Sequence, residues 1–490
     1  MATNDLRTFI AHLEATGQLV RVRAEVRTHL EIAEIASRLV AQDGPAALFQ
    51  NVAGHTMPVL VGAFASMQRM AWALGGETVD EVAGRLAEII RPPAADAGLL
   101  DKLKAAPRLL QLAGARPKIV RSGPCQEIVH TDDADLGQLP IITCWPGDGG
   151  PYITLGQVYT SDPAGENRNV GMYRLQVYGP RECGMHWHRD HDGARNFAAW
   201  AAQKKKMPVA VALGGDPVLT YAATAPLPYG MNELVLAGII RGEAVRTVRC
   251  VSVPLEVPAD AEIVIEGAVD PEERAMEGPF GDHTGYYSGP DPYPVMRVTA
   301  ITHRRDAIYP TTVVGRPPKE DCYLAKATER LFLPAIRTVV PEIVDLALPM
   351  FGVFHNWAFV SIRKTQAYDA HKVMHALWGL GQMKYVKYLV VVDEGVNVHD
   401  ADEVFWRMGA ESDPRRDTVL ATGPADVLDH AAPVGGRPGK LGIDATRKLP
   451  EETGGQRWPE PIASDPQTSD RVTRRWQEYG FEPPAGEPRA

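Results

Sequence analysis

Glu277-Gly278-Pro279-Phe280-Gly281-Asp282-His283-Thr284-Gly285-Tyr286-Tyr287 places two carboxylates on a backbone that no regular helix accepts. Pro279 fixes φ and lacks an N–H, while Gly278 and Gly281 let the chain bend. The segment reads as a turn on which Glu277 and Asp282 can converge. Near a cation such a pair splits its proton affinities, one group holding a proton while the other stays ionised. Short β-branched runs punctuated by Gly and Pro surround it: Ile153–Tyr159, Val170–Tyr178, Val209–Leu213, Arg246–Val251 and Glu262–Ile265 before, Val295–Ile301 after. This pattern predicts an open sheet or barrel from Val120 to Arg305.

Farther out the periodicity changes. Leu6, Phe9, Ile10 and Leu13 stand at helical spacing behind Asn4 or Asp5 as a cap, and Leu19–Arg23 alternates like a strand. A second helix through Leu30, Ile32, Ile35, Leu39 and Val40 stops near Gly44-Pro45, and strands follow at Ala47–Asn51 and Pro58–Gly62. Pro92-Pro93 and an Ala-rich helical stretch make the expected linker. After Lys319 the elements alternate again, with an amphipathic helix over Ala370–Leu380, a buried strand at Tyr388–Val392 and a capped helix over Asp400–Met408. The expected domains are 1–115, 116–315 and 316–465, followed by a helix and tail over 466–490, frayed from Pro483.

The 490 residues, 45% hydrophobic and 23% charged, have globular composition and exceed a single domain of about 150 residues. A net charge of −10 gives no basic field for nucleic acid. No uncharged apolar run reaches the roughly 18 residues of a membrane span, and the first residues do not read as a secretory signal. The cytoplasm is the expected location. Cys125, Cys144, Cys183, Cys250 and Cys322 are scattered without a C-x-x-C pair, which supports neither a disulfide framework nor a cysteine zinc site.

Two further patterns carry chemistry. His186-Trp187-His188-Arg189-Asp190-His191 contains H-x-H-x-D-H, the ligand pattern of metallo-β-lactamase-type hydrolases. Histidines two apart on extended chain share a face, and Asp190 with His191 could complete a dinuclear zinc site. Against this alternative, a turn at Tyr178–Gly184 precedes the motif where such hydrolases have an apolar strand. The second pattern is Asn169–Val177, a strand with Arg174 as its one internal cation. A buried arginine needs an acidic partner or an anionic ligand.

Together Asn169–Val177, Pro226–Gly242, Glu277–Tyr287 and Pro433–Lys448 resemble the UbiD-type decarboxylases, which use prenylated FMN to remove or add carboxyl groups on aromatic and α,β-unsaturated acids. The resemblance implies an α/β (α+β) protein with a central split β-barrel of flavin-reductase type between N-terminal and C-terminal α/β units. The C-terminal unit would mediate assembly as a homodimer or larger homo-oligomer. The catalytic network falls on Arg174, Glu277 and Asp282, with Asp282 as the general acid and Arg174 orienting the substrate carboxylate. A divalent ion, Mn²⁺ or another, would take Asn169 and Glu233, accompanied by K⁺. Its third ligand is Asp190 in an ungapped alignment and His191 with a one-residue shift; we take His191. Met172, Tyr173, Arg174, His186, Trp187 and His188 would line the flavin, and Lys440 would lie near its phosphate.

Such a cofactor is needed because direct loss of carbon dioxide from an aromatic ring leaves an sp² carbanion that no side chain stabilises. A flavin prenyltransferase is the implied supplier, and an aromatic, hydroxylated carboxylic acid the implied substrate. Gly352–Ile362 and His371–Gly379 resemble the members acting in quinone biosynthesis. His355, His371 and His375 are read as packing or interface residues. Asn169 and Arg174, five apart, would face opposite sides of a regular strand, so a bend is expected at Gly171.

Overall fold

The computed structural model describes residues 4–90, 112–354, 356–433, 437–455, 458–460 and 462–481. The expected linker at Pro92-Pro93, His355 and the tail from Pro483 lie outside them. The chain forms two units, Met1–Lys364 with Asp369–Thr446, and a small one of Thr365–Tyr368 with Arg447–Ala490.

In the large unit, Asp5 caps the helix Leu6–Ala15 through a capping box with Thr8, and Leu6, Phe9, Ile10 and Leu13 are buried. The strands Leu19–Val22, Ala46–Phe49 and Val59–Val61 form a sheet that Tyr309–Pro310 extends. The N-terminal sheet is thus completed by a strand from beyond the central one.

The central sheet runs in the order Tyr152–Ile153, Leu175–Gly179, Glu182–Gly184, Asp291–His303, Ile263–Glu277, Met207–Leu213, Gln157–Ser161 and Arg168–Met172, with Ile128–His130 paired beside Asp291–His303. Arg168–Met172 is one end of this order and Leu175–Gly179 is next to the other, yet only Tyr173 and Arg174 separate them. Three peptide units reach about 11 Å at most, so the sheet must curl on itself to bring its ends together. Arg174 sits in that seam.

Strand Met207–Leu213 shows why its sequence is continuously apolar. Val209, Val211 and Leu213 join Ile263, Ile265 and Met296 in one core. Ala210 and Ala212 face a second core with residues of the helices Pro217–Ala222 and Glu233–Arg241. Both faces are covered, so no polar alternation survives. Each large aliphatic side chain buried this way contributes about 1.5–3 kcal/mol.

Two differences from the expected strands matter. The run from Val170 to Tyr178 is two strands, and the break falls at Tyr173–Arg174; Gly171 itself stays paired with Val158. Gly171 is needed for another reason. The Tyr173 ring folds back over it, and a Cβ there would lie 2.2 Å from that ring. The expected short runs at Glu262–Ile265 and Val295–Ile301 are parts of a hairpin of 15 and 13 residues, Ile263–Glu277 and Asp291–His303, with register shifts on the way.

Beyond the 20-residue helix Glu320–Val339, a five-stranded sheet runs Ile343–Ala347, Trp357–Ile362, Tyr388–Asp393, Gly439–Asp444, Thr418–Thr422. The helix Asp369–Trp378 buries Ala370, Val373, Met374 and Leu377, and Asp400 caps Ala401–Glu411. His375 packs on Trp378. The small unit contains the helix Pro466–Arg474 and a contact between Trp476 and Phe481.

Candidate active site

The long hairpin pairs Glu277 with Asp291 at its end. Past that point Phe280–Gly281 pairs with Tyr287–Ser288, folding the loop back. Gln176 accepts the Gly278 N–H at 2.7 Å and Asp148 the Gly281 N–H at 2.8 Å, so the turn is tied to its surroundings at both glycines. Gly281 leaves no room for a side chain, because a Cβ would lie 2.0 Å from Cδ1 of Trp145, whose indole N–H is fixed on the Val314 carbonyl at 2.8 Å. Gly281→Ala should therefore cost about 1–3 kcal/mol of stability through overpacking. Gly289→Ala, with open space at that position, should leave the thermal midpoint nearly unchanged; equal midpoints for the two variants would contradict the steric account.

From the seam, Arg174 reaches both carboxylates. Its Nε donates to Glu277 Oε1 at 2.8 Å and Nη2 to Glu277 Oε2 at 3.0 Å, while Nη1 donates to Asp282 Oδ2 at 2.5 Å and Nη2 also to Ser288 Oγ at 3.0 Å. The guanidinium lies 4.3 Å from the centre of the Phe280 ring. The Arg174 side chain is 8% exposed and that of Glu277 fully buried. Burial opposes ionisation of Glu277, but hydrogen bonds from His186 and Arg174 outweigh it and hold its pKa below the ordinary value. For Asp282, burial is likewise outweighed by His283 and Arg174, and its pKa is driven far down.

His186 continues the network. Its Nδ1 lies 3.0 Å from Glu277 Oε2 and its Nε2 2.6 Å from His188 Nε2. Because the ionised carboxylate only accepts, Nδ1 of His186 carries the hydrogen and Nε2 accepts from His188. Burial, then the neighbouring imidazoles, lowers the pKa of His188 to about 3; burial, then His186, lowers that of His191 to about 4.

A second cluster lies on the Arg168–Met172 strand. Glu233, at the start of its helix and buried, accepts from Asn169 Nδ2 at 3.1 Å and from the Val170 N–H at 2.9 Å. The Tyr173 hydroxyl bonds to Asn169 Oδ1 at 3.3 Å, and its ring lies 5.0 Å from that of His191. Burial lifts the Glu233 pKa to about 7. The Trp187 Nε1–H is buried without a hydrogen-bond partner among the described residues, beside Gly193 in the first turn of the helix Asp192–Ala202.

The dinuclear zinc arrangement receives no support. Among the described residues no three His, Cys, Asp or Glu side chains converge as a metal site. His186 is committed to Glu277, and Asp190 turns outward to accept from Tyr385 at 2.8 Å. Lys440 is placed in the C-terminal sheet, where its ammonium donates to the carbonyls of Lys384 and Val386 at 2.5 and 2.9 Å; burial lowers its pKa to about 8. Sequence reasoning missed three partners of the network, Ser288, Phe280 and His283. All three lie in or next to the quoted turn, but nothing in the sequence indicated which of its side chains point inward.

Residues 10–90, 118–317 and 322–445 match, in turn, the N-terminal, Rift-related and C-terminal domains of UbiD, 3-octaprenyl-4-hydroxybenzoate carboxy-lyase. An uncharacterized protein of Aquifex aeolicus is 47% identical over 483 residues, 98% of this chain and 99% of that one. The UbiD-class enzyme HmfF from Pelotomaculum thermopropionicum, solved in complex with FMN, is similar with a TM-score of 0.79 and 31% identity, over 93% of this chain and 97% of that one. The vanillic acid decarboxylase of Sedimentibacter hydroxybenzoicus in closed form gives a TM-score of 0.84 and 27% identity, over 98% of this chain and all of the other.

Proposed function

The chain belongs to the UbiD family of carboxy-lyases, and from that premise we propose that it reversibly decarboxylates an aromatic, hydroxylated carboxylic acid with prenylated FMN. The observation that carries the reading is the buried Arg174–Glu277–Asp282 network held in the seam of the curled central sheet. That sheet is assigned as a split barrel of flavin-reductase type. When bound, prenylated FMN supplies the electron sink for the carbanion left by carbon dioxide. Arg174 orients the substrate carboxylate, Glu277 keeps Arg174 charged and in place, and Asp282 delivers the proton that replaces the carboxyl group on the ring carbon.

The second cluster suits the phosphate end of the cofactor. Glu233 is a buried carboxylate bonded to amide N–H groups, and an oxygen-rich set of this kind favours Mn²⁺ or another hard divalent ion. Asn169, Glu233 and His191 would hold it, with K⁺ nearby, and the unpartnered Trp187 N–H at a helix N-terminus suits a phosphate. Met172, Tyr173, His186 and His188 would line the flavin and Lys440 would support the phosphate side from the C-terminal sheet. The hydroxylated acid is assigned to quinone biosynthesis on the sequence texture of Gly352–Ile362. A flavin prenyltransferase supplies the cofactor, and the C-terminal α/β unit mediates self-association in the cytoplasm. No described helix is long and apolar enough to cross a membrane.

Protein co-produced with a flavin prenyltransferase should release a small molecule with the mass and absorbance of prenylated FMN and should decarboxylate a member of a panel of hydroxylated aromatic acids. Neither cofactor nor turnover on any acid would overturn the reading. Glu233→Ala and His191→Ala should lose both metal, by elemental analysis, and flavin, whereas Asp190→Ala should keep them. Metal loss in Asp190→Ala alone would assign the third ligand to Asp190.

A further inference from the structure

Asp282 must be protonated to serve as a donor, yet its surroundings hold it ionised. Oδ2 accepts from Arg174 Nη1, and Oδ1 accepts both the backbone N–H and the Nδ1 of His283, each at 2.8 Å. A carboxylate has no hydrogen to give, so Nδ1 carries it. A guanidinium does not release its proton in a protein. Of the two side chains bonded to Asp282 here, only the imidazole can hand one over.

We infer that His283 is a positioning residue that recharges Asp282 with its proton in each catalytic cycle, a role that rests on the decarboxylase reading above. The His283 Nδ1–H bond breaks as the Asp282 Oδ1–H bond forms, converting imidazolium and carboxylate into imidazole and carboxylic acid. The Asp282 O–H bond then breaks as its proton passes to the ring carbon vacated by carbon dioxide, restoring the carboxylate. Neutral His283 regains a proton from water. The ring is fixed for this transfer, its face stacked on Phe354 with centroids 4.8 Å apart at 23° and its side chain only 14% exposed. Burial disfavours its charge, but the bond to Asp282 outweighs burial, and Asp321 and Asp426 add to it, so its pKa lies above the ordinary histidine value.

His283→Asn retains an N–H donor near the Nδ1 position and removes the transferable proton. With the cofactor-loaded protein, flavin occupancy should equal that of wild type, while solvent deuterium exchange into the product ring falls by at least about 100-fold. In wild type the rate should decline as pH rises through the His283 pKa, because the imidazolium is consumed; the variant should lack this alkaline limb. In cofactor-free protein labelled with ¹⁵N-histidine, His283 should keep both ring nitrogens protonated to a higher pH in wild type than in Asp282→Asn. Wild-type exchange and pH profile in His283→Asn, or an unprotonated Nδ1 in the cofactor-free protein, overturns the relay alone. Absence of exchange in loaded wild type overturns the decarboxylase reading and the relay with it.

Discussion

Arg174→Ala is expected to abolish turnover and to destabilise the cofactor-free protein by about 3–5 kcal/mol, the cost of leaving a buried charge without its partner. Glu277 and Asp282 share this one guanidinium, and both are buried. Without it Glu277 retains His186 as a partner, its proton affinity rises, and the substrate carboxylate would lose the orienting cation proposed for it. Arg174→Lys keeps the charge but cannot form the two-pronged contact with Glu277 while also reaching Asp282 and Ser288. It should therefore fold and bind flavin with turnover strongly reduced. Adding Glu277→Gln to Arg174→Ala should recover part of the lost stability by removing one stranded charge. Thermal unfolding followed by circular dichroism checks this; a double variant less stable than Arg174→Ala would show that the cost has another origin.

Asp282→Asn should separate chemistry from fold. The amide keeps the shape and still accepts from Arg174, so flavin occupancy should be nearly unchanged while turnover falls on the order of 10²–10⁴-fold. Deuterium incorporation into the product ring, read by NMR beside flavin absorbance, measures it. Undiminished exchange with cofactor bound would remove Asp282 from the donor role and leave Glu277 as the candidate. The substitution should also flatten the pH dependence of stability. The Asp282 contribution is present above an unfolded pKa of about 3.9 and lost as pH falls through its depressed folded value. The His283 contribution is full below about 6.5 and lost as pH rises through its raised folded value. Their joint contribution is therefore greatest between those limits in wild type and reduced in the variant, where only Asp321 and Asp426 still favour the His283 charge.

The sequence revealed elements whose determinants are local. Asp5 and Asp400 announced their helices because a cap is a matter of a few neighbouring residues. It revealed much less of the long hairpin, since Asp270-Pro271-Glu272-Glu273 breaks the apolar alternation and the strand there is sustained by pairing with Asp291–His303. The helix Asp192–Ala202 was hidden behind a histidine-rich turn and an early Gly193, and Pro217–Ala222 is too short and too uniformly buried to show a periodicity. Within the site, Arg174, Glu277 and Asp282 do meet. The misplaced bend followed from treating a strand as an isolated object, when the break at Tyr173–Arg174 is imposed by the meeting of the two sheet ends.

That seam also fixes when in the life of the chain the site can exist. Glu277 and Asp282 follow Arg174 by 103 and 108 residues, and closing a loop of this length costs about 4 kcal/mol of entropy before any contact repays it. A ribosome that has released Arg174 must add more than a hundred residues before its partner carboxylates are made. Helices and local hairpins can form during that wait, but the network cannot, because it joins strands that become neighbours only when the sheet curls shut. Chains that stop short of Asp282, or whose central sheet has not closed, therefore lack the constellation.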